Sequence, residues 1–205
     1  MNIPRYLDAI PYLTTSHMIE VDRAMMEDYR IELIQMMENA GRNLAALARG
    51  RFLNGNPSGK HVVVLAGPGG NGGGALVAAR RLSNWGAKVQ VFITQPGQDF
   101  TPVPSHQLDI LERMNVPVSQ AVAIEDGAQI NLVVDGMIGY SLKGPPRGAS
   151  KDLIQWANHQ SAPILALDVP SGLDITSGTV FDPAIKAAAT MTLALPKKGL
   201  RAPGV

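Results

Sequence analysis

The chain has 205 residues, of which 45% are hydrophobic and 17% are charged, and its formal net charge at pH 7 is +1. This length and composition suit one globular α/β domain with a substantial core and do not require a second domain. The near-neutral charge argues against a surface that coats nucleic acid. Because the chain has no cysteine, it has neither disulfide bonds nor a thiolate metal site.

The sequence predicts neither a membrane span nor a secretion signal. No uninterrupted apolar stretch approaches the length that crosses a bilayer. The N-terminal region carries several acidic side chains and lacks the continuous apolar run that a secretion signal contains. We therefore expect a cytoplasmic protein with no membrane partner.

The first part of the chain predicts an irregular start and two helices. Residues 1–14 contain two prolines and are expected to be irregular. Ser16 is a candidate N-cap for the first helix. The second helix is marked by apolar side chains at helical spacing, which we interpret, together with Met36, as a packing face and not a metal site. These side chains are Leu33, Met37, Ala40, Leu44 and Leu47.

A strand, a glycine-rich turn and a helix form the centre of the chain. Residues 62–66 are all apolar and mostly β-branched, which is typical of a strand buried on both faces. The glycine-rich turn, residues 67–74, leads into an alanine-rich amphipathic run that ends near Trp85. The free N–H groups and the dipole at the start of a helix attract anions such as phosphate. We therefore interpret this turn as the floor of a binding site.

Two well-known phosphate-binding motifs do not fit this turn. Gly67, Gly69 and Gly72 satisfy the pattern G-x-G-x-x-G, but the next strand, residues 88–94, does not end in the acidic residue that the dinucleotide fingerprint requires. A Walker A loop is excluded because no Gly-Lys-Ser/Thr follows. A tight strand-to-helix turn without a ligand is the alternative interpretation of the turn taken alone.

Strands and helices continue to alternate through the second half of the chain. This alternation predicts an open, mostly parallel sheet with helices on both faces. The expected strands lie near residues 116–118, 131–135, 163–168 and 187–195, the expected helices near 105–114 and 150–159, and a helical turn near 125–129.

Polar groups end three of the predicted strands, where a parallel sheet binds its ligands. Asn71, Asp135 and Ser171 offer oxygen donors that suit a hard cation. Asp168 is the candidate group for proton transfer. An aspartate at a strand end is also a common helix cap or turn former. Neither Asp135 nor Asp168 alone therefore indicates a site, but together with the other polar strand ends they do. No pair of histidines is expected at this edge, and a hydrolase triad is not predicted.

Five motifs occur in a characteristic order along the chain. They comprise residues 37–41 in the second helix, 65–80 around the glycine-rich turn, 135–139, 168–174 and 196–200. In this order they resemble the NAD(P)H-hydrate epimerase family, the YjeF N-terminal domain. The resemblance extends from about Ser16 to Leu200. It implies one domain over residues 1–205, a Rossmann-like three-layer α/β/α sandwich and a homodimer.

The resemblance also implies an activity and a site. The family's enzymes are isomerases that interconvert the R and S epimers of hydrated NADH and NADPH (NADHX and NADPHX) in cofactor repair. The positions that match the family's potassium ligands are Asn71, Asp135 and Ser171, and Asp168 matches a substrate-contacting carboxylate with a catalytic role. The other matching substrate positions are Gly70, Asn71, Gly72, Gly73 and Gly74 in the turn, and Gly139, Tyr140, Ser141, Leu142, Lys143, Gly144 and Pro145 further along.

One departure from the family pattern keeps an alternative open. The family's turn typically reads Asn-Asn-x-x-Asp, and Gly70 and Gly74 replace its first Asn and its Asp. If that Asp takes part in the chemistry, the protein is expected to be slow or inactive. If it only orients the ribose, its loss weakens binding by about 1–3 kcal/mol, the scale of a charged hydrogen bond. Glycine also makes the turn roomier. The alternative is a non-catalytic module that binds a nucleotide or metabolite; with 5% aromatic residues and no basic-aromatic stripe, RNA binding is the least favoured function.

Overall fold

Six parallel strands form the central sheet of the protein. The structure is a computed structural model that describes residues 9–120 and 129–202. The strands are β1 (His61–Ala66), β2 (Lys88–Ile93), β3 (Val118–Ser119), β4 (Leu132–Gly136), β5 (Ile164–Leu167) and β6 (Ala189–Met191). Their order is β3-β2-β1-β4-β5-β6, and every neighbouring pair is parallel. The order reverses between β1 and β4, which creates a crevice beyond their carboxyl ends.

Five α-helices accompany the sheet in the described ranges. They are α1 (Thr15–Arg23), α2 (Leu33–Leu47), α3 (Gly70–Asn84), α4 (Pro102–Arg113) and α5 (Gly148–His159). A π-helical turn extends α1 over Ala24–Asp28 and another extends α2 over Ala48–Phe52, and 3₁₀ turns occur at Gly97–Asp99 and Lys198–Arg201. The predicted α/β fold is confirmed, and its sheet is entirely parallel in the described residues.

Alternate residues of the central strand enter two different cores. Val62 and Val64 of β1 pack in the larger core, which also contains apolar side chains of α2, α3 and α4. Val63 and Leu65 pack in a second core with α5. Because successive side chains of a strand point to opposite faces, the continuous apolar run in β1 places helices on both sides of the sheet. The layers are therefore helix, sheet and helix.

Helices α2 and α3 approach each other unusually closely at a glycine. A Cβ atom on Gly41 would lie 2.4 Å from Val77 Cβ and 2.5 Å from the carbonyl oxygen of Gly74. A Cβ on Gly73 would lie 2.3 Å from Met37 Sδ. Gly41 therefore allows α2 to pack Met37 against the first turn of α3. Met37 is buried there, as the sequence predicts.

The structure corrects several expected boundaries. Thr14, and not Ser16, is the N-cap of the first helix, and its hydroxyl accepts a hydrogen bond from the His17 N–H at 3.4 Å. The glycine-rich turn is shorter than expected, because α3 already begins at Gly70. The last strand covers only three residues of the expected 187–195, since the chain then turns through Ala194 at φ 55°. Most of the helical turn expected near 125–129 lies outside the described residues.

We predict that Gly41→Ala destabilises the protein by about 1–3 kcal/mol, because the added methyl group overpacks the contact between α2 and α3. This loss outweighs the gain of about 1 kcal/mol that alanine usually brings to a helix. Urea unfolding measures the change. Gly69→Ala is the matched control, since a Cβ there meets no atom within 4 Å, and equal stability of the two variants would contradict the close packing.

Candidate functional site

The turn after β1 and the end of β4 touch through their backbones. A Cβ on Gly67 would lie 1.9 Å from the carbonyl oxygen of Met137, and the Gly67 N–H donates to the Gly136 carbonyl at 3.2 Å. A Cβ on Gly72 would lie 1.7 Å from the Gly67 carbonyl oxygen. Only glycine permits this approach. It places the start of α3 directly beside the polar residues that end β4.

Asp135, in β4, is joined to Ser171 after β5 by paired hydrogen bonds. The Ser171 hydroxyl donates to Asp135 Oδ1 at 2.6 Å, and the Ser171 N–H donates to Oδ2 at 2.8 Å. The Met137 N–H also donates to Oδ1, at 3.2 Å. Burial raises the pKa of Asp135 to about 6, although these hydrogen bonds act in the opposite direction. Among the described residues no cationic side chain forms an ion pair with Asp135, so its negative charge is not compensated there.

Asn71 lies in the first turn of α3 and connects two further segments to this group. Its Nδ2 donates to the Leu167 carbonyl at 3.0 Å. The face of its amide group lies against Gly139, where a Cβ would lie 2.8 Å from Oδ1 and 3.0 Å from Nδ2. The Asn71 side chain therefore packs against the segment after β4, and its amide nitrogen is bonded to the end of β5.

The ends of β1, β4 and β5 thus carry Asn71, Asp135 and Ser171 at one edge of the sheet. Their donors are an amide oxygen, a buried carboxylate and a hydroxyl, which suits a hard cation bound by oxygen. No group of three or more His, Cys, Asp or Glu side chains suited to a metal ion occurs in the described parts of the chain. The residues present fit a hard cation, since the buried Asp135 carboxylate supplies a charge for it to neutralise.

Asp168 follows β5 directly and has an unusual backbone conformation. Its φ is 68°, which is the left-handed region and costs a non-glycine residue on the order of 1 kcal/mol. The Asp168 N–H donates to the Met191 carbonyl of β6 at 2.8 Å, and the Leu193 N–H donates to Asp168 Oδ1 at 3.0 Å. Such strain is concentrated at functional sites, which agrees with the role expected of Asp168.

Lys197 forms a buried ion pair with Asp168. The side chain of Lys197 is 0% exposed and that of Asp168 is 2% exposed. Sequence reasoning recognised the Pro-Lys-Lys-Gly-Leu motif but assigned no role to it. The pattern of two adjacent lysines does not tell which one turns inward; the structure buries Lys197 and exposes Lys198.

Tyr140 connects the predicted substrate segment to the first helix. Its hydroxyl donates to Asp22 Oδ2 at 2.6 Å. Burial, followed by the hydrogen bond to Asp22 and by the charges of Asp22 and Asp168, raises the pKa of Tyr140 above its usual range. The tyrosine therefore stays protonated and can donate a hydrogen bond. Sequence reasoning missed this contact, since nothing in the local pattern of Asp22 distinguishes it from an exposed helical carboxylate.

The remaining predicted substrate positions lie between β4 and α5. Gly139 contacts Asn71, as described, whereas the side chains of Ser141, Lys143 and Pro145 are exposed. Leu142 and Gly144 are half-buried in the same irregular connection. The structure therefore brings the beginning of this segment to the strand ends and leaves its middle at the surface.

Gly74 does not make the turn roomier, in contrast to the sequence-based expectation. It lies buried inside α3, and a Cβ there would lie 2.8 Å from Leu167 Cδ2 and 3.7 Å from Ala40 Cβ. Leu167 therefore fills the space toward which a longer side chain at position 74 would project. At Gly70, by contrast, a Cβ would meet only Met37 Cε at 3.9 Å.

A parallel sheet with this strand order, and a glycine-rich turn at its switch point, defines a Rossmann-like α/β protein, a class whose members bind ligands at the carboxyl edge of the sheet. Residues 33–199 match the family described as "YjeF-related protein N-terminus", and the chain belongs to this family.

Individual relatives agree with this assignment. The chain is 42% identical over 192 residues to an NAD(P)H-hydrate epimerase of Dehalogenimonas lykanthroporepellens, covering 94% of this chain and 77% of the relative. It is 34% identical to the bifunctional NAD(P)H-hydrate repair enzyme Nnr of Salinibacter ruber, but covers only 38% of that protein. The crystal structure of yeast ynu0, YNL200c, superposes with a TM-score of 0.78 at 30% identity, covering 93% of this chain and 83% of that one.

We predict that Gly74→Asp destabilises the protein by about 3 kcal/mol, because the new carboxylate is buried against Leu167 without a partner. Thermal unfolding measures the loss. Gly70→Asn is the control, because Gly70 is the other position that differs from the family pattern and the structure has space there. We expect it to change the free energy of unfolding by less than about 1 kcal/mol.

The double variant Gly74→Asp/Leu167→Ala tests the cause of that loss. If Leu167 is the obstacle, the free energy of unfolding that the double variant loses is smaller than the sum of the two single losses by about 1 kcal/mol or more. Additive effects would show that Leu167 and position 74 do not compete for the same space.

Proposed function

We propose that this chain is an NAD(P)H-hydrate epimerase, an isomerase that interconverts the R and S epimers of hydrated NADH and NADPH. The observation that carries the proposal is Asp168, a buried carboxylate held in a strained conformation beside the glycine-rich turn of a Rossmann-like sheet. The names of the relatives support the same reaction.

The dinucleotide phosphates have an evident place beside the first turn of α3. The N–H of Gly73 is the first to donate within the helix, to the Gly69 carbonyl at 3.0 Å. The N–H groups of Gly70, which is exposed, and of Asn71, which is half-buried, therefore remain available at the positive end of the helix dipole. The exposed Lys143 adds a positive charge on the segment after β4. These groups bind and orient the substrate so that its hydrated ring reaches Asp168.

The chemistry requires one stereocentre to be broken and re-formed. Epimerisation of the hydrated carbon breaks its bond to the hydroxyl oxygen or to the ring nitrogen and then remakes it on the other face. Either route moves a proton, and a positioned carboxylate can hold that proton between the steps. Asp168 is the group that performs this transfer in the proposed site.

The potassium ion expected from the family resemblance is part of the proposal. Asn71, Asp135 and Ser171 would hold it, because they present oxygen donors around a carboxylate whose charge is otherwise uncompensated. A bound cation supplies positive charge that neutralises Asp135 and attracts an anionic substrate.

The non-catalytic binding module is the less favoured function. The replacement of the family's Asp by Gly74, with Leu167 in the vacant space, removes one polar group from the site. Asp168 and the oxygen donors at the strand ends remain, however, and the curated relatives are named as epimerases or repair enzymes. We therefore expect that the replacement of this aspartate by Gly74 removes a contact with the substrate and does not abolish activity.

We also propose a homodimer and a cytoplasmic location, which both rest on the sequence-based expectations. In residues 9–120 and 129–202, no helix combines the length and apolar character needed to span a membrane. Light scattering on the purified chain measures the dimer, and a mass equal to one chain would contradict it.

The activity is tested by supplying R-NADHX with potassium and following the S epimer by chromatography. We expect acceleration over the uncatalysed rate, and a loss of at least about 100-fold in Asp168→Asn, the usual scale of a general acid-base group. Asp109→Asn, at an exposed carboxylate of α4, is the matched control and retains full activity. No acceleration by the wild-type chain would overturn the proposed function.

Potassium binding is tested without reference to activity. Replacing choline by potassium at constant ionic strength stabilises the wild-type chain by about 1.4 kcal/mol at ten times the dissociation constant, which raises Tm by about 3–5 °C. Asp135→Asn removes this response, whereas Asp109→Asn keeps it. An unchanged wild-type Tm would show that the three oxygen donors do not hold potassium.

A further inference from the structure

The buried ammonium group of Lys197 is surrounded by oxygen atoms. It pairs with Asp168 Oδ1 and donates to the Leu193 carbonyl at 2.6 Å. Thr192 Oγ1 and the Leu195 carbonyl each lie 3.2 Å away. Lysine is almost never fully buried unless it is paired, so this position holds a cation beside one particular carboxylate.

The backbone around Lys197 is fixed by the N-terminal segment. The Leu13 N–H donates to the Pro196 carbonyl at 2.9 Å, and the Lys198 N–H donates back to the Leu13 carbonyl at 2.8 Å. These bonds hold residue 197 from both sides in a strand-like bridge. The ammonium group is therefore delivered by a rigid segment and not by a mobile tail.

The two oxygens of the Asp168 carboxylate have different environments. Oδ1 receives Lys197 Nζ and the Leu193 N–H, and Thr192 Oγ1 lies 3.5 Å from it. Oδ2 receives no hydrogen bond from the described residues. One oxygen is thus saturated by the protein, and the other keeps its lone pairs for a group that is not part of the protein.

We propose that Lys197 is a positioning residue for the epimerisation, which holds Asp168 as an ionised carboxylate with Oδ1 fixed and Oδ2 available to accept a proton from the substrate. This inference rests on the proposed function and adds a residue and a direction of proton transfer to it.

An ion-paired carboxylate begins the reaction as a base, and this decides which bond breaks. Asp168 Oδ2 accepts the proton of the substrate hydroxyl, and the electrons of that O–H bond form a carbonyl group. The carbon–nitrogen bond breaks with its electron pair on the ring nitrogen, which then receives the proton from Asp168. Closure on the other face of the carbonyl reverses these steps and gives the other epimer, with no proton or electron consumed.

Loss of the oxygen as water would need a different starting state. The hydroxyl must then receive a proton before it leaves, so the group beside it must begin as an acid. Asp168 Oδ1 is paired with the Lys197 ammonium group, and a carboxylate in such an ion pair accepts hydrogen bonds and has no proton to give to the hydroxyl. The geometry therefore favours opening of the ring.

The absence of cysteine allows a sharp test of the ammonium group. Lys197→Cys introduces a single thiol, which can be alkylated in denaturant with 2-bromoethylamine or with 1-bromopropane before refolding. The two products have side chains of lysine-like length, one with an ammonium group and one without charge. Lys198→Cys, treated identically, is the matched control because Lys198 is exposed.

We expect the aminoethyl product at position 197 to have a kcat within about tenfold of wild type. The propyl product should lose about 100-fold or more in kcat while KM changes less than about threefold, which is the scale of a general base. Both products at position 198 stay fully active. Equal kcat of the two products at position 197 would overturn the proposal, since the charge would then have no role.

The wild-type chain provides a second test that does not depend on refolding a variant. Epimerisation of R-NADHX in ¹⁸O-labelled water, stopped at a single turnover, should give S epimer that retains its original oxygen. One ¹⁸O atom per epimerised molecule would show departure of the oxygen and overturn the role of Asp168 as the initial base. A wild-type chain that does not accelerate epimerisation would instead contradict the proposed function. Failure of the proposed function is therefore distinguishable from failure of the proposed proton transfer.

Discussion

The site depends on the close backbone contact between the turn after β1 and the end of β4. Gly67 and Gly72 allow carbonyl oxygens to approach positions where any side chain would collide. This contact sets the start of α3 beside Asp135, and Asn71 then reaches the Leu167 carbonyl. The helix N-terminus, the buried carboxylate and the end of β5 share one crevice because glycine leaves room for the backbone.

Two buried aspartates at this edge have opposite electrostatic surroundings. Asp135 is held by neutral donors, and burial raises its pKa to about 6. Asp168 faces the ammonium group of Lys197. A buried carboxylate that has only neutral partners attracts a cation from solution, whereas one that is paired with a fixed cation can present its other oxygen to a substrate. This difference divides the two residues between cation binding and proton transfer in the proposed mechanism.

Local sequence patterns were sufficient to predict the parallel sheet and the polar groups at its carboxyl edge. Apolar runs that end in Asp135 and Asp168 predicted buried strands with carboxylates at their carboxyl ends, and both occur. Boundaries were less reliable: Thr14 replaced Ser16 as the cap, since both residues can cap and the helix begins at Thr15, one residue before Ser16. The interpretation of Gly74 as extra room was wrong, because Leu167, distant in sequence, fills that space.

The sequence by itself determined the fold class, the family and the residues that end the strands, because these follow from periodicity and from motifs with fixed spacing. Only the tertiary structure decided which lysine of the Pro-Lys-Lys-Gly-Leu motif enters the site, and that Asp22 of α1 reaches Tyr140. The contact between Asp22 and Tyr140 joins segments more than a hundred residues apart. The choice between Lys197 and Lys198 depends on which of two adjacent side chains turns toward Asp168. Such choices are made by packing, which no local pattern in the chain encodes.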